Sequence, residues 1–250
     1  MKSNITKNFT SSTLKVIAWN CNMAFRKKAA RILEHVPDIL IVPECEHPEK
    51  LLLKEFTVMP SDYFWFGNNQ HKGLGVFAFS GYRLKLHDNH QPEFKIILPI
   101  TVSGGKTDFN LLAVWANNPA DPKYQYIGQV WKALHHYTDL LKEEKVILAG
   151  DFNSNTFWDK PKRKWNHTDV VALLNMRNIH STYHRFFNRN QGRERHPTHF
   201  LYRHKDKPYH LDYCFASAHF ANRLLNVTVG SHHKWKKYSD HTPLISTFSI

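Results

Sequence analysis

Val146-Ile147-Leu148-Ala149-Gly150-Asp151-Phe152-Asn153-Ser154-Asn155 is the stretch on which the reading of this chain turns. Four apolar residues in a row suit a short strand buried on both faces. Gly150 ends the run, and a carboxylate and a carboxamide follow at Asp151 and Asn153. Residues two apart share a face of extended chain, so both polar groups can project into one cleft at the strand's end. A carboxylate there can move a proton, and an amide beside it can hold a substrate oxygen or a water. The same residues also suit a plain turn after a strand, since Gly, Asp, Asn and Ser dominate turns. The rest of the chain has to choose between the two.

Working outward, the pattern repeats. Residues 14–20 read as a strand ending at Asn20, and residues 38–44 as a buried strand ending in the carboxylate of Glu44. Between them, residues 25–36 carry apolar positions at Ala29, Ile32, Leu33 and Val36 with Arg26, Lys27, Lys28 and Arg31 interleaved, which predicts an amphipathic helix with a basic face. Strands are predicted at 63–66, 73–79, 96–102, 109–115, near Phe200, at 211–216 and at 244–248, and helices at 122–141 and 168–175. Many strands, several adjacent in sequence, with few helices suggest sheet packed on sheet with helices outside. Neither a repeat nor a Pro/Gly/Ser linker divides the sequence. Residues 1–13 are therefore read as a polar lead-in and 14–250 as one domain.

Lys plus Arg is 34 against 21 Asp plus Glu, a net charge of +13, which points to a polyanionic partner such as nucleic acid or an anionic membrane surface. Eighteen His are expected to add charge as pH falls toward about 6. Cys21, Cys45 and Cys214 form no CxxC pair and read as small buried hydrophobes in a reducing compartment. No apolar leader opens the chain, and no apolar run approaches the roughly 18 residues of a membrane span. A cytoplasmic location is the expectation.

Four strand ends thus carry polar punctuation: Asn20, Glu44, Asp151 with Asn153, and Ser239-Asp240-His241 before the last strand. Asp212 sits inside an otherwise apolar strand, where a carboxylate is costly to bury unless paired. Each alone suits a turn or a cap. Together and in this order they resemble the endonuclease/exonuclease/phosphatase superfamily, which includes exonuclease III, apurinic/apyrimidinic endonucleases and pancreatic-type deoxyribonuclease. The matching motifs are Trp19-Asn20, Pro43-Glu44, Gly150-Asp151-Phe152-Asn153, Leu211-Asp212-Tyr213 and Ser239-Asp240-His241.

The resemblance implies an α/β fold, a four-layer sandwich of two packed, mainly antiparallel mixed sheets flanked by helices. It also implies a metal-dependent phosphoesterase site at one end. Carried over by position, Glu44 is the principal ligand of Mg²⁺ or Mn²⁺, with Asn20 and Asp240 completing the metal's surroundings. His241, oriented by Asp212, bonds a phosphate oxygen. Asp151 activates the attacking water or protonates the leaving oxygen, and Asn153 holds the phosphate or Asp151. The chain departs from apurinic/apyrimidinic endonucleases at Asn22, where they have Asp, and at Trp115, where a Tyr or His is usual. Asn117 or Asn118 is an alternative phosphate contact.

Residues 160–207 hold twelve Lys or Arg against three acids, and Lys162, Arg163 and Lys164 lie between Trp158 and Trp165. Basic side chains among aromatics suit a phosphate backbone with bases to stack on. A solvated loop anchored by its Trp residues has the same composition. A DNA or RNA nuclease is the first expectation. A phosphomonoesterase or phospholipase of the same superfamily is the second, and an inactive binding module the third.

Overall fold

The computed structural model describes residues 12–51, 53, 56–94, 97–117, 124–160 and 163–250. The first sheet runs in the order β13 (Leu224–Val229), β14 (Leu244–Ser249), β1 (Thr13–Ala18), β2 (Ile39–Cys45), β4 (Lys72–Ala78), β3 (Asp62–Asn69). The second runs β5 (Arg83–Leu86), β6 (Ile97–Ser103), β7 (Phe109–Trp115), β8 (Val146–Asp151), β12 (Asp212–Ser217), β9 (Ile179–Ser181). β10 (His199–Phe200) and β11 (Pro208–Tyr209) form a small ribbon. β1–β2 and β7–β8 are parallel and the other pairs antiparallel. This is the sandwich of two mixed sheets that the motifs implied.

The apolar runs are continuous because both faces of each central strand are covered. Alternate residues of the first sheet, among them Val16, Ala18, Ile39, Ile41 and Val76, meet Ile100, Leu111, Ala113, Ile147 and Ala149 of the second in the central core. The intervening residues Ile17, Trp19, Leu40, Val42 and Phe77 pack outward with Ala29, Ile32 and Leu33 of α1 (Ala29–Leu33) and Trp235 of α7 (His232–Trp235). On the far side Leu112, Val114, Val146 and Leu148 pack against α3 (Ile127–His136) and α4 (His167–Asn175). That is four layers. Shorter helical turns lie between them at α2 (Pro48–Leu51), α5 (Thr182–Phe187) and α6 (Ala218–Ala221). Among the described residues no helix is long and apolar enough to cross a membrane.

Two helices are shorter than their spacing predicts. The span 25–36 is a 3-10 turn, Phe25–Lys27, followed by α1. Lys28 lies between them at φ −129°, with its ammonium bonded to the carbonyls of Cys21 at 2.6 Å and Asn22 at 3.1 Å. The span 122–141 keeps only α3 and a 3-10 turn, Leu140–Lys142, within its described part. Tyr137 leaves helical geometry there, and the Thr138 hydroxyl bonds back to Leu134 and His135 carbonyls. The strands the spacing does not announce are β5, β9 and β13, all sheet edges, and β11 of the small ribbon. An edge strand covers one neighbour only and alternates weakly; β5 has just Leu84 and Leu86 turned inward.

At one end of β8 the backbone approach is close. Gly150 has φ +144°, and a Cβ added there would meet the Val114 carbonyl oxygen of β7 at 1.8 Å. Gly150→Ala is expected to cost about 3 kcal/mol or more, through strain and overpacking together. In a chain of this length that is a fall in Tm of roughly 6–12 °C by calorimetry. An unchanged Tm would show that β7 and β8 can separate here freely.

Candidate active site

The register of β8 against β12 sets Asp151 directly opposite Asp212, and both are fully buried. Two unit charges about 4 Å apart repel by roughly 4 kcal/mol at an effective dielectric of about 20. The pair persists because a cation lies beside it. His241, from the first sheet's side of the sandwich, places Nδ1 2.8 Å from Asp212 Oδ2 and Nε2 4.0 Å from Asp151 Oδ2. Two attractions of that size outweigh one repulsion. Three N–H groups also donate to Asp151: Asn20 Nδ2 at 3.0 Å, Asn153 Nδ2 at 3.1 Å, and the Asn153 backbone at 2.9 Å. Asn153 reaches back because it adopts φ +45°, and its amide also bonds the Ala116 carbonyl at 2.8 Å.

His241 is held from several elements. Its backbone N–H donates to Ser239 Oγ, which itself donates to the Asn20 carbonyl, and its carbonyl accepts the Trp19 indole N–H at 3.1 Å. His199 pairs with it in a β-bridge, their rings 4.5 Å apart. Thr198 steadies the partner carboxylate: its hydroxyl accepts the backbone N–H of both Leu211 and Asp212 at 2.9 Å.

Glu44 stands where β2 bulges against β4, between Pro43 and Cys45, at φ +62°. The bulge turns its carboxylate off the ladder and into the site, where Asn20 Nδ2 lies 3.4 Å from Oε1 and Lys72 Nζ 3.3 Å from the same oxygen. Asp240, partly exposed, has Oδ1 3.3 Å from Ser239 Oγ and faces His199 Nε2 at 3.8 Å. Ligand atoms of Asp151, Asp212 and His241 lie within 4.8 Å of one another, and Asp212 Oδ1 is buried with no hydrogen-bond partner among the described residues. Asp151 and Asp212, flanked by Glu44 and Asp240, make an oxygen-rich set, and such a set fits a hard divalent cation.

Charge states follow from these neighbours. Burial pushes Asp151 up to about 7, with the Asp212 charge acting the same way, while His241 and the Asn20 and Asn153 N–H groups oppose it. Burial alone would lower His241, but the Asp212 and Asp151 carboxylates overcome it and hold the imidazolium up to about 10. Not every histidine is therefore a titrating group near pH 6. Burial drives His167, His199 and His210 down to about 4, so they stay neutral there.

Trp115 ends β7 beside Asp151, buried, with Lys72 Nζ 5.3 Å from its ring centre. The Asn117 carbonyl accepts the Tyr126 N–H at 3.1 Å. Asn118 and Lys162 lie outside the described residues. Arg163 and Lys164 are exposed just before α4, and no hydrogen bond or ion pair joins either side chain to the carboxylates of the site. Trp165 packs on Tyr124 and Trp131, ring centres 4.8 and 5.7 Å away, whereas Trp158 is 40 % exposed and lies tilted against Tyr209, ring centres 5.0 Å apart. Lys72, His199 and Thr198 have no local signal in the sequence. They lie in polar segments, and only the packing of distant strands brings them here.

A family model described as Endonuclease/Exonuclease/phosphatase family matches residues 17–241. No curated protein sequence matches the chain. Among solved structures it is similar to an AP endonuclease from Archaeoglobus fulgidus, at 18 % identity and TM-score 0.71, covering 95 % of this chain and 100 % of that one. It is also similar to the 3′ phosphatase NExo from Neisseria, at 20 % identity and TM-score 0.69 with the same coverage. A truncated Caenorhabditis elegans TDP2 gives 14 % identity and TM-score 0.68, covering 95 % and 98 %. These likenesses carry the fold, and the family match carries the membership: the chain belongs to the endonuclease/exonuclease/phosphatase family.

Proposed function

We propose that this protein is a divalent-metal-dependent phosphodiesterase that cleaves nucleic acid. The observation that carries the reading is the buried Asp151–His241–Asp212 arrangement with Glu44 and Asn20 at its edge. Hydrolysis of a phosphodiester needs an in-line water, neutralised phosphate charge and a stabilised leaving oxygen. Glu44, Asn20 and Asp240 would hold Mg²⁺ or Mn²⁺, which when bound supplies charge neutralisation at the phosphate oxygens. The His241 imidazolium donates from Nε2 to a phosphate oxygen as negative charge grows there, while Nδ1 stays on Asp212. Asp151, poised at about 7, is the proton-transferring group, able to take a proton from the attacking water or return one to the leaving oxygen. Asn153 and Asn20 keep its carboxylate aimed. Trp115, at the end of β7, and Asn117 just after it would flank the phosphate, and Asn118, next in sequence, is the alternative contact.

Support for a nucleic-acid substrate comes from the net charge of +13, the exposed Arg163 and Lys164, and Lys162 preceding them in sequence. The Neisseria NExo structure is bound to product DNA hairpin.

Plasmid, single-stranded DNA or RNA is expected to be cut with Mg²⁺ or Mn²⁺ and to survive in EDTA, while a soluble phosphomonoester is left largely intact. Full activity in excess EDTA would remove the metal, and preference for the monoester would move the protein to a different substrate class. Asp212→Ala and His241→Ala are each expected to lower kcat by about 10²-fold or more. The double variant should lose little beyond the worse single one, because the two act as a unit. Multiplicative losses would separate them.

The same ion pairs bear on stability. Asp151 is raised from 3.8 to about 7 and His241 from 6.5 to about 10, so each holds its proton more tightly in the folded protein. Stability is then lost as pH rises through each window; His241 contributes fully below 6.5 and nothing above about 10. In EDTA, Tm should fall between pH 6.5 and 10, less steeply in His241→Asn than in the parent. Equal slopes would mean that folding does not raise the proton affinity of His241.

A further inference from the structure

Lys72 opens β4, opposite Asn69 across the β3–β4 hairpin. The hairpin is pinned where Trp65 lies flat over Gly73; a Cβ on Gly73 would stand 2.4 Å from the indole, whose N–H donates to the Cys45 carbonyl at 3.0 Å. That packing delivers the Lys72 ammonium to two places at once. It sits 3.3 Å from Glu44 Oε1, and 5.3 Å from the ring centre of Trp115. Beside it opens a cleft of about 290 Å³, lined by Phe66, Asn68, Asn69, Lys72, Trp115 and Asn117.

On the metal-dependent reading Glu44 would hold the divalent cation, and its Oε1 already faces Lys72. An ammonium at 3.3 Å from that oxygen and a doubly charged ion on it repel each other strongly, and the partly exposed, flexible lysine is the one able to move. It already lines a cleft that offers carboxamides and an indole and, among the described residues, no acidic side chain. An ammonium among amides matches a phosphate group.

We propose that this cleft is a subsite for a second phosphate of the substrate, next to the one being cleaved, and that Lys72 is exchanged between two anions. Without metal it neutralises Glu44; when the divalent cation takes Glu44, Lys72 turns to the neighbouring phosphate. Metal and a polyphosphodiester then favour each other's binding, because each removes what the other must displace. The substrate class rests on the phosphodiesterase reading, but the competition at Glu44 is tested without any substrate.

Mn²⁺ binding to the substrate-free protein, measured by calorimetry, should be roughly fivefold tighter in Lys72→Gln than in the parent, and unchanged in Lys72→Arg, which keeps the charge. Equal Mn²⁺ affinity in parent and Lys72→Gln overturns the exchange. The second arm uses His241→Asn, so that a single-stranded oligonucleotide binds in Mn²⁺ with turnover suppressed. Adding Lys72→Gln should flatten the log–log salt dependence by about 0.7, the loss of one phosphate contact, and Lys72→Arg should restore it. An unaltered slope overturns the subsite even where the Mn²⁺ result holds. Absence of Mn²⁺ binding in every protein overturns the exchange and the metal-dependent reading together.

Discussion

The opposition of Asp151 and Asp212 across the β8–β12 ladder is the constraint on which this structure depends. Two buried carboxylates in register are costly without compensation, because burial removes the solvation that would otherwise screen their charges. The compensation is His241, which belongs to the other sheet's connections and comes 29 residues after Asp212 in the chain. The sandwich therefore has to close in the correct register for the site to be electrically tolerable. Closing it in that register also assembles the site. Fold and chemistry share one interaction.

The second constraint is directional. Strand ends of both sheets converge at one end of the sandwich, and each polar group is turned into the cleft by a local distortion. Glu44 uses a bulge, Asn153 a left-handed residue after the strand, and Asp151 the close approach of Gly150 to β7. These distortions are tolerable because hydrogen bonds and packing over-determine them: the Asn153 amide spans Asp151 and the Ala116 carbonyl, and Cys21 Sγ lies 3.3 Å from the Glu44 carbonyl. The over-determined side of the site is thus buried, and its adaptable element is the partly exposed Lys72 side chain on the β3–β4 hairpin. A cation that can change partners sits on the surface hairpin, and the cation that must not, His241, sits in the interior.

The local sequence was enough for the layers and for most of the residues that gather at the candidate site. Continuous apolar runs at β1, β2, β7, β8 and β12 announce strands covered on both faces, and polar residues at their ends announce where the cleft opens. Such signals are legible because strand periodicity and strand ends are properties of neighbouring residues. Asp212 also stood out, since a mid-strand carboxylate demands a partner, although nothing nearby in sequence names His241.

What the tertiary structure decided are facts about distance between remote segments. Only the packed sheets show that Asp151 faces Asp212, that the Trp19 indole secures a histidine backbone 222 positions away, and that the Asp212 and Asp151 carboxylates hold His241 charged while burial leaves His199 neutral. The edge strands β5, β9 and β13 were illegible because they bury one narrow face, and the predicted helix over 25–36 broke because the Lys28 ammonium found two carbonyls outside it. Lys72 is the clearest case. In sequence it is one charge in a polar turn, and its meaning arises only where the hairpin lays it between Glu44 and Trp115. Charge and proton affinity depend on neighbours in space, which the order of residues along a chain does not specify.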